Sequence, residues 1–150
     1  MNLRYPIAAA LSVLLALVAA LSAAADQPPV RVSGAWIREA PPVVTTLGGY
    51  MTLENTSDEP LAIVGGSSPS FARVEIHRTE ITGGVARMVR QDRVALPARG
   101  AVAFEPGSYH LMLMKPTQPL VQGDSATITL ELEDGRSVAV VAAVRKGPPE

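Results

Sequence analysis

The stretch "ATITLELEDGRSVAVVAAV", residues 126–144, decides the fold class. Ile128, Leu130 and Leu132 alternate with threonine and glutamate, which is the pattern of a strand with one buried face. The pair Asp134-Gly135 then interrupts the alternation, and this pair is typical of two-residue hairpin turns. A second apolar run follows at once, so the stretch predicts a β-hairpin.

The same rhythm extends over the rest of the chain after the first 25 residues. Short runs rich in Val, Ile, Leu, Thr and aromatic residues end at Gly, Pro, Asn, Asp or Ser, and no run keeps a helical period for 12 residues. The sequence therefore predicts one all-β domain, a sandwich or barrel of about seven to nine mostly antiparallel strands. The predicted strands are Val30–Arg38, Leu47–Glu54, Leu61–Gly65, Phe71–Glu80, Val85–Gln91, Ala101–Glu105, Tyr109–Met114, Ala126–Glu133 and Ser137–Val144.

Residues 1–25 have the features of a secretory signal peptide. A basic Arg4 precedes the apolar run Ile7–Leu21, and small residues lead up to a predicted cleavage site after Ala25. An uncleaved membrane anchor is the alternative, although the run is alanine-rich and shorter than the ~20 residues that span a bilayer. We expect residues 26–150 to form the mature domain outside the cytoplasm, with no stable membrane anchor after cleavage.

Charge and cysteine content exclude several classes of function. Residues 26–150 carry 12 basic and 14 acidic side chains, a net charge of −2, without a basic block that would bind nucleic acid or an anionic membrane. The absence of cysteine excludes disulfides, thiolate nucleophiles, iron–sulfur clusters, cysteine-type zinc sites and a lipid anchor on cysteine. No Gly-x-Ser-x-Gly motif is present either, so we do not expect an enzyme.

The segment "SYHLMLMKP", residues 108–116, contains one of only two histidines. His110 and Met112 lie two residues apart, so on a strand they share one face about 6 to 7 Å apart, while the leucines point into the core. An imidazole and a flexible thioether can close that distance onto one ion. Met114 shares the face but lies ~13 Å from His110, so we expect it outside a common coordination shell.

The other histidine, His77, is in "FARVEIHRTE", and the next predicted strand carries Met88. A hairpin centred on Thr82-Gly83 would place His77 directly opposite Met88, about 5 Å apart between Cβ atoms. A hairpin centred on Gly83-Gly84 would make them diagonal neighbours, about 7 to 8 Å apart. Both registers bring the two side chains close together.

Two histidines and two methionines form a neutral set of two nitrogens and two sulfurs. Thioether sulfur is soft and favours Cu(I) over Zn²⁺, Mg²⁺ or Ca²⁺, and imidazole also suits copper. A blue-copper centre is excluded because it requires a cysteine thiolate. On the residues alone, the alternative that these four side chains bind no metal remains open, since histidines are common on surfaces and methionines commonly fill cores.

The spacing His77, ten residues, Met88, 21 residues, His110, one residue, Met112 resembles the H-x10-M-x21-H-x-M signature of the periplasmic PCu(A)C (PCuAC) copper chaperones. The stretches "VSGAWIREAPP", "GGYMTLENTSDEPL", "FEPGSYHLMLMKP" and "PLVQGDSATITLELEDG" also resemble that family, in order, over nearly the whole of residues 30–144. The family often has Met directly after the first histidine, whereas this chain has Arg78. That departure removes an auxiliary thioether but leaves the four-residue set intact.

The resemblance implies a cupredoxin-like β-barrel in the periplasm that holds one solvent-accessible Cu(I) at His77, Met88, His110 and Met112. It further implies delivery of copper to the CuA centre of cytochrome c oxidase, sometimes together with a Sco-type thiol protein. Two alternatives remain at this stage. One is a periplasmic copper buffer or resistance protein without a dedicated acceptor, and the other is a metal-free secreted β-sandwich interaction module.

Overall fold

The hairpin predicted over residues 126–144 consists of two antiparallel strands, Ser125–Leu132 and Ser137–Arg145. Gly135 in its turn has a φ of 88°, a conformation that glycine adopts without the steric cost of a Cβ atom. Ile128 and Leu130 are completely buried, as the alternation predicts.

The computed structural model describes residues 29–150, so the predicted signal peptide and its cleavage site after Ala25 lie outside the described residues. Within residues 29–150, no helix is long and apolar enough to cross a membrane. The described part of the chain contains ten strands. They are β1 (Val30–Arg38), β2 (Thr46–Asn55), β3 (Leu61–Ser67), β4 (Phe71–Thr82), β5 (Val85–Arg90), β6 (Val94–Leu96), β7 (Ala101–Phe104), β8 (Tyr109–Pro116), β9 (Ser125–Leu132) and β10 (Ser137–Arg145).

Eight of these strands form a closed barrel. They follow the order β4-β8-β7-β2-β1-β10-β9-β3, and a pairing between β3 and β4 closes the circle. Strand β8 also pairs directly with β2 beyond the end of the short β7. The pairs β1–β10 and β7–β8 are parallel, and the other described pairs are antiparallel. The all-β, mostly antiparallel prediction is therefore confirmed.

The core fills the inside of the barrel with the inward-facing side chains of its strands. Leu111 and Leu113 on β8 are completely buried in this cluster. Since successive residues of a strand point to opposite faces, His110 and Met112 lie on the outer face of the barrel wall. Other members of the core include Ile37, Leu47, Leu53, Ile63, Ile76, Leu96, Ile128, Leu130 and Val144.

All nine predicted strands are present, with ends that differ by at most two residues. The sequence did not predict β6, Val94–Leu96, which pairs with the start of β3. Three residues followed by Pro97 are too short for a recognisable alternation, and the pairing partner lies more than 30 residues away. Tertiary contacts, not local pattern, form this strand.

Strands β4 and β5 continue beyond the barrel as a hairpin, and its turn selects the second of the two predicted registers. Gly83 and Gly84 both have positive φ, 60° and 78°, as a type I′ turn requires. Thr79 therefore pairs with Met88, and His77 is the diagonal neighbour of Met88. Strand β5 pairs with β4 alone and is exposed along its whole length.

Replacement of a core leucine tests whether the barrel interior carries the stability. Leu130 is 0% exposed, so we expect Leu130→Ala to lower the free energy of unfolding by about 2 to 5 kcal/mol. Val141, on the neighbouring strand, is 65% exposed, and Val141→Ala should cost less than about 1 kcal/mol. Urea denaturation measures both, and equal losses would contradict the described core.

Candidate metal centre

Three adjacent strands, β5, β4 and β8, carry all four residues of the predicted metal-binding set. In the register of β4 and β8, His77 lies directly opposite His110, and Glu75 lies opposite Met112. Met88 on β5 is the diagonal neighbour of His77. The sheet thus brings the four predicted side chains to one area of its outer face.

The two imidazole rings lie side by side, with centroids 6.1 Å apart and ring planes inclined by 33°. The His77 side chain is 13% exposed, and His110 as a residue is 5% exposed. The expectation of an exposed site is therefore wrong for the two histidines. It holds for Met88, which is 62% exposed on the edge strand β5.

A hydrogen bond to the main chain fixes the orientation of the His110 ring. Its Nδ1 lies 3.0 Å from the carbonyl oxygen of Ser108. A carbonyl oxygen can only accept, so Nδ1 carries the hydrogen and donates it. In the neutral ring Nε2 is then left without a hydrogen, with its lone pair available.

A carboxylate orients the His77 ring, and here the bonded nitrogen is Nε2 instead of Nδ1. Its Nε2 lies 2.9 Å from Oε2 of Glu75, a residue with a side chain that is only 10% exposed. An ionised carboxylate is an acceptor only, so Nε2 carries the hydrogen and Nδ1 of the neutral ring has the free lone pair. The two histidines therefore present different ring nitrogens.

Both of those free nitrogens are buried and have no hydrogen-bond partner. They are Nδ1 of His77 and Nε2 of His110, and they are the unsatisfied buried side-chain nitrogens or oxygens found in the described part of the chain. An unsatisfied buried polar atom costs about 1 to 3 kcal/mol, and native proteins contain few of them. Two such atoms on a directly opposed pair of imidazoles are typical of a site that binds a further group.

The two methionines of β8 differ in their surroundings. Both are partly buried, and Met112 lies two residues from His110 on the same face. The sulfur of Met114 already accepts hydrogen bonds from Arg73, at 3.3 Å from Nε and 3.1 Å from Nη2. This engagement and its greater distance along the strand separate Met114 from the histidine pair.

Glu75 is the centre of charge in this area. Its Oε1 lies 3.0 Å from Nε of Arg73 and 3.3 Å from Nη1 of Arg90, while Oε2 accepts from His77. The hydrogen bond from His77 holds the pKa of the Glu75 carboxyl below its usual value. Burial opposes this effect, and the charges of the two arginines add to it. The group is therefore a carboxylate at neutral pH.

Sequence reasoning missed Glu75, the carboxylate that contacts His77. The signal was the i, i+2 spacing on a strand, which places a carboxylate within reach of an imidazole. In residues 29–150 no three His, Cys, Asp or Glu side chains come together in a metal-binding arrangement. The methionine sulfurs are therefore the remaining candidate ligands beside the two imidazoles.

Comparison with known proteins identifies the family of this chain. The profile of the LpqE-like family matches residues 30–144. The protein RP573 of Rickettsia prowazekii is 36% identical over 101 residues, which is 67% of this chain and 56% of that protein. Lxx21020 of Leifsonia xyli is 29% identical over 117 residues, covering 77% of this chain and 69% of that protein.

Solved structures with the same fold are PCuAC domains. The copper-bound PCuAC domain from PmoF2 has a TM-score of 0.67 at 26% identity, over 80% of this chain and 95% of that domain. CuI-DR1885 from Deinococcus radiodurans has a TM-score of 0.61 at 35% identity, over 86% and 87% of the two chains. The barrel is thus the cupredoxin-like fold that the resemblance implies. Since the family profile covers nearly all the described residues, the chain belongs to the LpqE-like family of PCuAC-type domains.

Proposed function

We propose that this protein is a periplasmic copper metallochaperone that binds one Cu(I) through His77, Met88, His110 and Met112. The observation that supports it most is the pair of buried, unpartnered nitrogens, His77 Nδ1 and His110 Nε2, on directly opposed residues. A bound ion would satisfy both atoms at once. The copper-bound states of the PmoF2 domain and of DR1885 support copper as that ion.

The spacing of the rings is compatible with one shared ion. A metal–nitrogen bond of about 2 Å places an ion about 3 Å from the centre of each ring, so two rings that share it have centroids about 6 Å apart at most. The observed separation is 6.1 Å, at this upper limit, so binding one ion with four ligands requires the rings to move slightly closer.

The donor chemistry favours Cu(I) over other ions. Both imidazoles are neutral in the tautomers described above, and the thioethers of Met88 and Met112 are neutral and soft. The nearest carboxylate, Glu75, is already engaged by His77 and two arginines, so it is not free to bind a hard cation. A site without a thiol also survives in an oxidising compartment.

The unequal exposure of the ligands suits transfer of the ion. The side chains of His77 and His110 are largely buried, whereas Met88 is 62% exposed on a hairpin that extends beyond the barrel. A partner can therefore reach Met88 first and replace its sulfur without unfolding the sheet. The remaining ligands would then be displaced one at a time.

The acceptor we propose is the CuA domain of cytochrome c oxidase, with a Sco-type thiol protein as a further partner. This part of the proposal comes from the resemblance to the PCuAC family, as does the periplasmic location after cleavage behind Ala25. The mature protein would then be the single copper-binding domain of residues 26–150. The proposed activity is binding and transfer of an ion, not catalysis of a covalent reaction.

A transfer assay separates the chaperone from a copper buffer. The Cu(I)-loaded protein is mixed with an apo CuA domain, and the rise of the CuA absorption after oxidation is followed. We expect faster metallation than with an equal amount of Cu(I) held by a small chelator of matched affinity. Equal rates would favour the buffer, and no stoichiometric uptake of Cu(I) by the protein would favour the metal-free interaction module.

The two methionines of β8 provide a matched pair of variants. Met112→Leu removes a proposed ligand, so we expect Cu(I) affinity to fall about tenfold or more, equivalent to about 1.4 kcal/mol. Met114→Leu removes a sulfur that is already bonded to Arg73, so affinity should change less than about threefold. Competition with a Cu(I) chelator measures both, and equal losses would contradict the assigned ligand set.

A further inference from the structure

The side chain of Glu75 is nearly buried and contacts three other polar side chains. It is 10% exposed, and it contacts Arg73 at 3.0 Å, Arg90 at 3.3 Å and His77 at 2.9 Å. Both arginines contact the same oxygen, Oε1. Arg73 lies on β4, the strand that carries Glu75, and Arg90 lies on β5. The other oxygen, Oε2, is thereby left for His77 alone.

This arrangement decides which nitrogen of His77 is free. A neutral imidazole has one N–H and one bare nitrogen, and an isolated ring exchanges between the two tautomers. A carboxylate that accepts from Nε2 stabilises the Nε2–H form and prevents the ring from turning over. Nδ1 is then the bare nitrogen, and it is the atom that is buried without a partner.

The same network also decides which sulfur is free. Arg73, which holds Oε1 of Glu75, donates to the sulfur of Met114 through the same guanidinium group. Met112 is the residue directly opposite Glu75 on β8. One carboxylate–arginine pair therefore engages Met114, and among residues 29–150 no such donor contacts the sulfur of Met112.

We propose that Glu75 is the positioning residue of the copper site, holding His77 in its Nε2–H tautomer so that Nδ1 faces the ion. This inference rests on the proposed function for the identity of the ion. Arg73 and Arg90 already neutralise the charge of the Glu75 carboxylate, so its role is to orient His77 and not to balance the charge of the ion.

The first test needs no metal. Long-range ¹H–¹⁵N spectra of the apo protein above pH 7.5 report which ring nitrogen carries the hydrogen. We expect His77 as the Nε2–H tautomer in the unmodified protein, and a mixture of tautomers in Glu75→Ala. An Nδ1–H form in the unmodified protein, or an unchanged tautomer in a folded Glu75→Ala, would overturn the inference.

The second test measures Cu(I) affinity by competition with a chelator. We expect Glu75→Ala to weaken binding about 10- to 100-fold, the usual range for groups that orient a metal ligand. Glu75→Gln should weaken it less, because the amide oxygen still accepts from Nε2. Glu80→Ala is the matched control, since Glu80 is exposed on the opposite face of the same strand and should leave affinity unchanged.

The results distinguish the two proposals. If the unmodified protein takes up no stoichiometric Cu(I), the proposed function fails, and the tautomer of the apo protein still reports the role of Glu75 in orienting His77. If the unmodified protein binds Cu(I) and Glu75→Ala binds it equally tightly, the role of Glu75 at the copper site is overturned while the proposed function stands.

Discussion

The pairing of β4 with β8 is the constraint on which the candidate site depends. It sets His77 opposite His110 and Glu75 opposite Met112, so the relative positions of these four residues follow from this one register. A shift by one residue would move His110 and Met112 to the inner face of the barrel and bring the leucines outside. Because Leu111 and Leu113 are completely buried, the core opposes such a shift.

The stability of the barrel therefore maintains a site that is itself unfavourable when empty. Two buried nitrogens without partners lower stability, and the hydrophobic core and the ladder of main-chain hydrogen bonds offset that cost. Strand β5 differs, since it pairs with β4 alone and its side chains are exposed. The proposed site would thus combine two nearly buried histidines with a methionine, Met88, that a partner can reach.

The sequence predicted the class of fold and the strands because alternation is a local signal. It also predicted that His110 and Met112 share one face, and it limited the β4–β5 hairpin to two registers. The choice between them required the positive φ of both Gly83 and Gly84. The direct pairing of His77 with His110 could not be predicted, since no local pattern specifies which distant strands become neighbours. The contacts of Glu75 are a different case, because Arg73 and His77 lie two residues away on the same strand and only Arg90 comes from another strand.

In the proposed copper-bound state, one Cu(I) binds to both imidazoles and to methionine sulfur at the junction of β4, β5 and β8. X-ray absorption at the copper K-edge of the Cu(I)-loaded protein tests it most directly, because it counts nitrogen and sulfur neighbours of the ion. We expect two imidazole nitrogens, recognised by scattering from the outer atoms of the rings, and two sulfurs bound directly to the ion. A shell of nitrogen and oxygen alone, or of sulfur without imidazole, would contradict it.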